Sequence, residues 1–222
     1  MTKPPPDQAS PIQAPPDETL RPALAALAKR DPDIARAYDA CGLPPVRRRP
    51  PGFETLLKII LAQQVSVQSA AAIIGRLDKT VRRLTPRAVL RLSDGDYRAI
   101  GFSQQKVVYA RALAEDVLAK RIDLTALEAL DDGDAIDHLA QARGVGRWTA
   151  EIYLLFALER PDVWPVGDLA VRVGAQRLKS LDERPTPDEM MTLGEAWRPY
   201  RSAAARLLWH LYRHPGVPLG DE

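Results

Sequence analysis

The stretch GVGRWTAEIYLLFALERPDVWPVGDLAVR, residues 144–172, contains the pattern that decides the fold. Two glycines, Gly144 and Gly146, flank a valine and lead directly into an apolar helical segment. Glycine permits tight turns and a close approach of another molecule to the backbone. The first N–H groups of a helix lack intrahelical partners, so they can bind a phosphate oxygen. The pattern predicts a helix–hairpin–helix that anchors a phosphodiester backbone, or else a tight turn in which glycine only provides the geometry.

The remainder of the chain also has the apolar spacing of helices. Apolar residues recur at helical intervals in residues 53–61, 73–77 and 107–118. Ser103 is placed to cap a helix, and TPDE at residues 186–189 fits a capping box with proline at the first helical position. No Asn-Gly hairpin and no alternating β-branched run is present. We therefore expect an all-α protein with roughly nine or ten short helices.

Composition excludes several classes of protein. The 222 residues include a single cysteine, Cys41, which rules out an internal disulfide, a cysteine zinc cage and a four-cysteine iron–sulfur cluster. No apolar run approaches the ~20 residues that span a bilayer, and the N-terminal residues lack the apolar core of a signal peptide. An intracellular protein without a membrane partner is expected, located in the cytoplasm or nucleoid if it is bacterial.

Charge is nearly balanced overall but clustered locally. The formal net charge of +2 neither requires nor excludes a nucleic-acid partner, because clustering matters more than the total. The basic clusters are Arg47–Arg49; Lys79, Arg82, Arg83, Arg87 and Arg91; Arg143 and Arg147; and Arg198, Arg201 and Arg206. Any one cluster alone is more simply explained as a solvent-exposed charged surface than as a contact with nucleic acid. Seven of the 20 prolines fall in the first 22 residues, so we expect residues 1–18 to be a disordered tail before a helical domain over residues 19–222.

Three blocks of sequence, in order, resemble one family. LAQARGVGRWTA followed by DVWPVGD resembles the helix–hairpin–helix, Gly/Pro-rich loop and aspartate signature of the HhH-GPD DNA glycosylases. IILAQQVSVQSAAAIIGRL and WRPYRSAAARLLW are similar to the 3-methyladenine DNA glycosylase II, or AlkA-like, branch. The resemblance extends over residues 53–212. It implies two helical subdomains flanking a cleft for DNA and the base, a central one at about 54–160 and a second one at about 19–53 plus 161–215.

The resemblance implies a catalytic role for Asp168. In this family the aspartate after the loop faces C1′ of the nucleotide whose base is removed. Breaking the N-glycosidic bond develops positive charge on the sugar, and a fixed carboxylate stabilises that charge or orients and deprotonates the attacking water. An N-cap role for Asp168 is compatible with either function.

Trp148 indicates the subtype. Relatives that also cleave the DNA strand have a Schiff-base lysine where this chain has Trp148, so the resemblance implies a monofunctional enzyme that leaves an intact abasic site. It also places Trp148 and Trp209 around a flipped base, where an indole face attracts a cationic alkylated purine. Some relatives have a tyrosine at the position of Ile152, and we include the neighbouring Tyr153 in the predicted base pocket.

The predicted partner is double-stranded DNA that contains alkylated bases, bound by a monomer. In the AQQVS turn, Gln63 and Gln64 are expected to enter the DNA and fill the gap left by the flipped nucleotide. The other predicted DNA contacts are Arg143, Gly144, Gly146, Arg147, Thr149 and Arg201. No cofactor is expected apart from a structural Na⁺ or K⁺ at the hairpin, held by the backbone carbonyls of Ala140, Ala142 and Val145.

Two alternatives stay open at this point. A non-catalytic DNA-binding module would need the hairpin alone, and the joint presence of Asp168, Trp148, Trp209 and the AQQVS turn argues against it. A glycosylase for deaminated or oxidised bases is the other alternative. The absence of the lysine and the presence of only one cysteine argue against it, since several such relatives use one or the other.

Overall fold

The computed structural model describes residues 14–214 and 216, and within them the regular structure is helical. Its α-helices are α1 (Arg21–Ala28), α2 (Pro32–Cys41), α3 (Phe53–Leu61), α4 (Val67–Thr80), α5 (Pro86–Leu90), α6 (Asp94–Ile100), α7 (Gln104–Leu118), α8 (Asp132–Ala140), α9 (Arg147–Phe156), α10 (Leu169–Leu178), α11 (Pro187–Glu195) and α12 (Arg201–Arg213). Glu18–Leu20 and Ala126–Ala129 form 3₁₀ turns. The all-α prediction is confirmed. The described part has twelve α-helices rather than nine or ten, because short helices such as α5 offer too few residues for a periodic pattern.

Side-chain N-caps lie at the helix starts that the sequence predicts. The Ser103 hydroxyl accepts a hydrogen bond from the Lys106 N–H, and Thr186 and Glu189 form the predicted capping box with Pro187 inside the first turn. Each cap satisfies N–H groups that a helix start would otherwise leave without a partner. None of the described helices is both long and apolar enough to span a membrane.

The helices pack in two groups. In the first, α3 contacts α4, α7 and α9, while α8 packs on α9 and α5 on α7. In the second, α10 packs on α12, and α1 and α2 pack against them. Seven of the nine residues of α3 are buried, so this helix lies in the centre of the first group rather than on its surface. The predicted subdomain limits, about 54–160 and about 19–53 with 161–215, stay a prediction.

The predicted disordered tail needs a correction at its end. Residues 1–13 lie outside the described residues, but Pro16 forms an antiparallel bridge with Pro45. The Asp17 N–H donates to the Pro44 carbonyl at 2.8 Å, and its buried carboxylate lies 2.8 Å from the Arg206 guanidinium. Residues 15–18 therefore belong to the folded part, because Asp17 provides the counter-ion for Arg206, which is itself buried.

Candidate active site

The hairpin between α8 and α9 depends on Gly144. Its φ is +88°, and a Cβ at this position would lie 2.4 Å from Cγ of the Tyr109 ring. A side chain is therefore excluded both by the backbone conformation and by the packed ring. The Val145 N–H donates to the Ala142 carbonyl at 3.0 Å and closes the turn. Gly146 then begins α9 in an extended conformation, without a side-chain cap, so the first N–H groups of α9 are available to a ligand.

Gln63 supports the hairpin from within the protein. Its Nε2 donates to the Gly144 carbonyl at 3.1 Å and to the Thr149 hydroxyl at 2.6 Å. Thr149 is 2% exposed. Both side chains were predicted to contact DNA. The Thr149 side chain is buried against Gln63, which corrects its prediction. Gln63 is half-buried and lines the cleft beside Gln64, so its DNA contact stays a prediction. The tertiary contact fixes the hairpin against the end of α3.

Gln64 is exposed in the same turn. Its backbone has φ +56°, and its side chain lies at a cleft of about 310 Å³. The Lys106 ammonium donates to the Gln63 carbonyl at 3.2 Å and also to the Leu61 carbonyl, so it holds the last turn of α3. Gln64 is thus presented on a turn that is fixed on both sides.

Asp168 is the N-cap of α10 and accepts three hydrogen bonds. Its Oδ1 accepts from the Val171 N–H at 2.9 Å and from the Trp209 indole Nε1 at 2.9 Å. Its Oδ2 accepts from the Trp148 indole Nε1 at 2.8 Å. The residue is only 9% exposed, and no cationic side chain is paired with it within the described residues. Three N–H donors therefore fix the orientation and stabilise the charge of this carboxylate.

The two indoles that hold Asp168 differ in exposure. Trp148, on the second position of α9, is 36% exposed, and Trp209 is half-buried, with its ring 5.4 Å from that of Phe156. The structure thus brings together the aspartate and both tryptophans of the predicted site. Their spacing in sequence, 20 and 41 residues, gives no local indication of this contact.

Tyr153 lies elsewhere. Its ring is fully buried, and its hydroxyl accepts a hydrogen bond from the Gly52 N–H at 2.7 Å. Its predicted place in the base pocket is therefore corrected, because one residue turns a helical side chain by about 100° and directs it away from Trp148. Tyr153 instead fixes the segment that enters α3. Ile152 is also buried.

The arginines predicted to contact DNA separate into two kinds. Arg201 is buried and makes two 2.9 Å contacts with the Asp162 carboxylate, so the predicted DNA contact is corrected: the pair fixes the loop before Asp168 to the start of α12. Arg143 is exposed. The Arg147 side chain is 67% exposed, and its Nε lies 2.9 Å from the Glu151 carboxylate. These two arginines lie beside the hairpin, and their predicted DNA contacts stay predictions.

Glu151 was not identified from the sequence, although a carboxylate inside the apolar segment RWTAEIYLLFAL was a usable signal. It is 2% exposed. Burial raises the pKa of its carboxyl to about 7, the Arg147 guanidinium lowers it, and the negative charge of Asp168 raises it. Glu151 therefore holds a partly protonated carboxyl one helical turn from the hairpin arginine.

This raised pKa predicts that the protein loses stability as the pH rises. The folded protein binds the Glu151 proton more tightly than the unfolded chain does, where the usual value is 4.5. The contribution of Glu151 to the free energy of unfolding therefore falls between pH 4.5 and about 7. Relative to wild type, Glu151→Gln should gain up to about 3 kcal/mol of stability over this interval, measured by urea unfolding at several pH values. Glu115→Gln, exposed on α7, is the control, and equal pH profiles for wild type and Glu151→Gln would refute the assignment.

Comparison with known proteins identifies the family. The family model of the HhH-GPD superfamily base excision DNA repair proteins matches residues 57–199. The chain belongs to this superfamily. The HhH-GPD match starts inside α3, includes α4 to α11 with the hairpin and Asp168, and ends before Trp209. The predicted family and fold are thereby confirmed.

HhH-GPD proteins similar to this chain include enzymes named for alkylated bases. The chain is 33% identical over 161 residues to DNA-3-methyladenine glycosylase 1 of Schizosaccharomyces pombe, over 71% of each chain. It is similar to the solved S. pombe 3-methyladenine DNA glycosylase in complex with abasic DNA, with a TM-score of 0.80 and 29% identity over 90% of this chain and 100% of that one. DNA-3-methyladenine glycosidase from Bacillus halodurans matches with a TM-score of 0.77 and 31% identity, over 88% of this chain and 90% of that one.

Proposed function

We propose that this protein is a monofunctional DNA glycosylase of base excision repair. It flips alkylated bases of the 3-methyladenine and 7-methylguanine type out of duplex DNA, hydrolyses the N-glycosidic bond and leaves an abasic site, acting as a monomer in the compartment that holds the DNA. The observation that carries the proposal is the Asp168 carboxylate, held by two indole N–H groups near a helix–hairpin–helix. The names of its relatives support the same chemistry.

The hairpin positions the DNA. The free N–H groups at the start of α9 and the positive end of its dipole bind a backbone phosphate of one strand. Arg143 and Arg147 add positive charge beside the phosphate. The space next to Gly146 is open, since a Cβ there would have no heavy atom within 4 Å. Such contacts fix the register of the protein on the duplex without reading sequence.

Asp168 acts on the sugar. As the C1′–N bond breaks, the bonding electron pair leaves with the base and positive charge develops at C1′; the oxygen of water then bonds to C1′ and releases a proton. A carboxylate has about four positions at which it can accept a hydrogen bond. In Asp168, three of these positions accept hydrogen bonds from N–H groups. The remaining position lies on Oδ2, where it faces either the sugar or its attacking water. Because the carboxylate is already oriented before the reaction, electrostatic stabilisation is the role that this geometry favours.

The two tryptophans select the base. Their indole N–H groups are directed at Asp168, so a base that stacks on either ring has its C1′ close to the carboxylate. An alkylated purine carries positive charge, which an indole face attracts by about 0.5–2 kcal/mol. The same charge makes the base a good leaving group, so lability and stacking account for selectivity without a dedicated set of hydrogen bonds.

Trp148 also defines the reaction type. A glycosylase that cleaves the strand forms a covalent Schiff base through an amine, and an indole nitrogen cannot form one. Water is therefore the nucleophile. Gln64, exposed on its fixed turn, fills the gap that the flipped nucleotide leaves.

We also propose that the hairpin holds a structural alkali cation. Rings of backbone carbonyls replace the hydration shell of K⁺ in proteins, and the carbonyls proposed here are that of Ala140, at the end of α8, and those of Ala142 and Val145 in the turn that follows. The Ala142 carbonyl accepts one hydrogen bond from the Val145 N–H, which leaves its second lone pair for a cation. A bound Na⁺ or K⁺ would add positive charge beside the phosphate.

The test is to incubate methylated duplex DNA with the protein and to identify the released bases. We expect 3-methyladenine and 7-methylguanine in solution and a DNA strand that breaks only on heating or alkali. Binding of the duplex without base release would instead favour a non-catalytic hairpin module. Prompt strand breakage, or a protein–DNA adduct trapped by borohydride, would refute the monofunctional assignment.

A further inference from the structure

Six exposed cationic side chains belong to the end of α4, to α5 and α6 and to the segments that connect these helices. They are Lys79, Arg82, Arg83, Arg87, Arg91 and Arg98, and all six are exposed. Within the described residues, none of these side chains has a hydrogen bond or an ion pair. We call this set the basic face.

Nearby carboxylates are engaged by other groups. Asp78 lies 2.9 Å from the Lys58 ammonium, and Asp94 lies 2.8 Å from the Arg111 guanidinium. Asp96 accepts hydrogen bonds from the Ser93 N–H and hydroxyl. Residues 79–98 contain six cationic side chains and two carboxylates, a net of four positive charges, whereas the whole chain has a net charge of only +2. The basic face is thus a local concentration of charge on a chain that is otherwise slightly acidic.

The three elements that carry the basic face are packed together. The Tyr97 hydroxyl of α6 donates to the Val89 carbonyl of α5 at 2.7 Å, and the Arg76 Nε of α4 donates to the Ile100 carbonyl of α6 at 2.6 Å. Gly101, directly after α6, lines the same cleft as Gln64. The face therefore starts near this cleft and continues away from it. Lys79 is twelve residues along α4 from Val67, or about 18 Å along the helix axis, at 1.5 Å per residue.

Its chemistry fits a polyanion better than a folded protein partner. No large apolar side chain of residues 79–98 is exposed, whereas the centre of a protein interface is rich in apolar and aromatic residues. Five of the six cationic groups are guanidinium groups, which match phosphate oxygens in a bidentate manner. A surface of this kind recognises a regular row of phosphates without reading sequence.

We propose that the basic face is a second DNA-binding surface, which contacts the phosphodiester backbone of duplex DNA beyond the Gln64 cleft, as far as Lys79 near the end of α4. This inference rests on the proposed action of the protein on DNA. The phosphates come from the flank of the duplex held by the hairpin or from a second duplex segment, and the length of the DNA distinguishes the two. In either case the face increases affinity for undamaged DNA and keeps the protein on it while it searches for damage.

The experiment compares Arg83→Gln/Arg87→Gln with wild type in duplex binding at several salt concentrations. Each lost phosphate contact lowers the slope of log K against log salt concentration by about 0.9, so the slope should fall by about 1–2 on an undamaged duplex of about 40 base pairs. The control is Arg21→Gln/Arg121→Gln, which removes two exposed arginines that are paired with Glu18 and Asp116. Its slope should equal that of wild type.

The length of the DNA separates the sources. If the flank of the same duplex is bound, the effect should disappear on a duplex of about 12 base pairs centred on the lesion. If a second segment is bound, undamaged competitor DNA can supply that segment. The slopes of the variant and wild type on the short duplex should then still differ once the competitor is added. Equal slopes for wild type and Arg83→Gln/Arg87→Gln in both arms would overturn the proposal. So would loss of base release from the short duplex at low salt, because the variant would then be acting on the catalytic site or the fold. Failure of the wild type itself to release a base would refute the proposed function and leave the binding slopes interpretable.

Discussion

Asp168→Asn should lower the rate of base release by on the order of 10²–10³-fold, while changing duplex affinity little and lowering the free energy of unfolding by about 1–3 kcal/mol. The amide removes the negative charge that stabilises the positive charge at C1′. Its NH₂ group also faces an indole N–H, which donates a hydrogen bond to a carboxylate oxygen in the wild type. The N-cap of α10 survives, because asparagine caps a helix about as well as aspartate does. The measurement is single-turnover release of bases from methylated duplex, with thermal unfolding and DNA binding measured on the same sample.

A matched control is available in Asp131. This exposed aspartate is the N-cap of α8 and accepts a hydrogen bond from the Asp134 N–H at 2.8 Å, so Asp131→Asn makes the same chemical change at another helix start. Base release by this variant should equal that of wild type. If Asp168→Asn released bases as fast as wild type does, Asp168 would be a helix cap and nothing more.

Gly144→Ala is expected to have the largest effect on the fold. It forces a side chain into a left-handed backbone conformation, and it places a Cβ 2.4 Å from the Tyr109 ring. Backbone strain and overpacking together should lower the free energy of unfolding by roughly 2–5 kcal/mol. The melting temperature should fall by roughly 5–15 °C for a chain of this size. Affinity for duplex DNA should fall with it, because the hairpin cannot keep its shape.

Gly146→Ala is the comparison that separates geometry from binding. A Cβ at this position has no heavy atom within 4 Å, and the backbone there is extended. Stability should therefore change by at most about 1 kcal/mol, the difference between glycine and alanine at an N-cap. DNA affinity should fall all the same, because the new methyl group lies beside the N–H groups proposed to bind phosphate. A stable Gly144→Ala variant with wild-type affinity would show that the hairpin tolerates a different turn.

Local features of this protein could be predicted from its sequence. Ser103, Thr186 and Asp168 act as N-caps through contacts within three residues, and the hairpin follows from the two glycines. The family resemblance pointed to Trp148 and Trp209, and the structure shows both of them bonded to Asp168. Such features were accessible because they depend either on short-range geometry or on motifs that occur in a fixed order.

Contacts between residues that are distant in sequence could not be predicted. Gln63 meets Thr149 across 86 residues, and Tyr153 meets Gly52 across 101. A polar residue in a DNA-binding motif looks the same in sequence whether it faces the solvent or another part of the protein. Arg201 illustrates this, since its charge indicates a DNA contact and only the packing of the loop before Asp168 shows that Asp162 neutralises it.

The hydrogen bonds from two indoles to one carboxylate give the protein an optical reporter of its proposed catalytic site. Of its four tryptophans, Trp164 and Trp197 are buried, with the Trp164 ring edge-on to that of Trp197, so their fluorescence should be insensitive to events at the surface. Trp148 and Trp209 are the more accessible pair, and both are bonded to Asp168. Entry of a base would change the polarity around these two rings only. Intrinsic tryptophan emission should therefore follow occupation of the site in real time, without a fluorescent label on the DNA or on the protein.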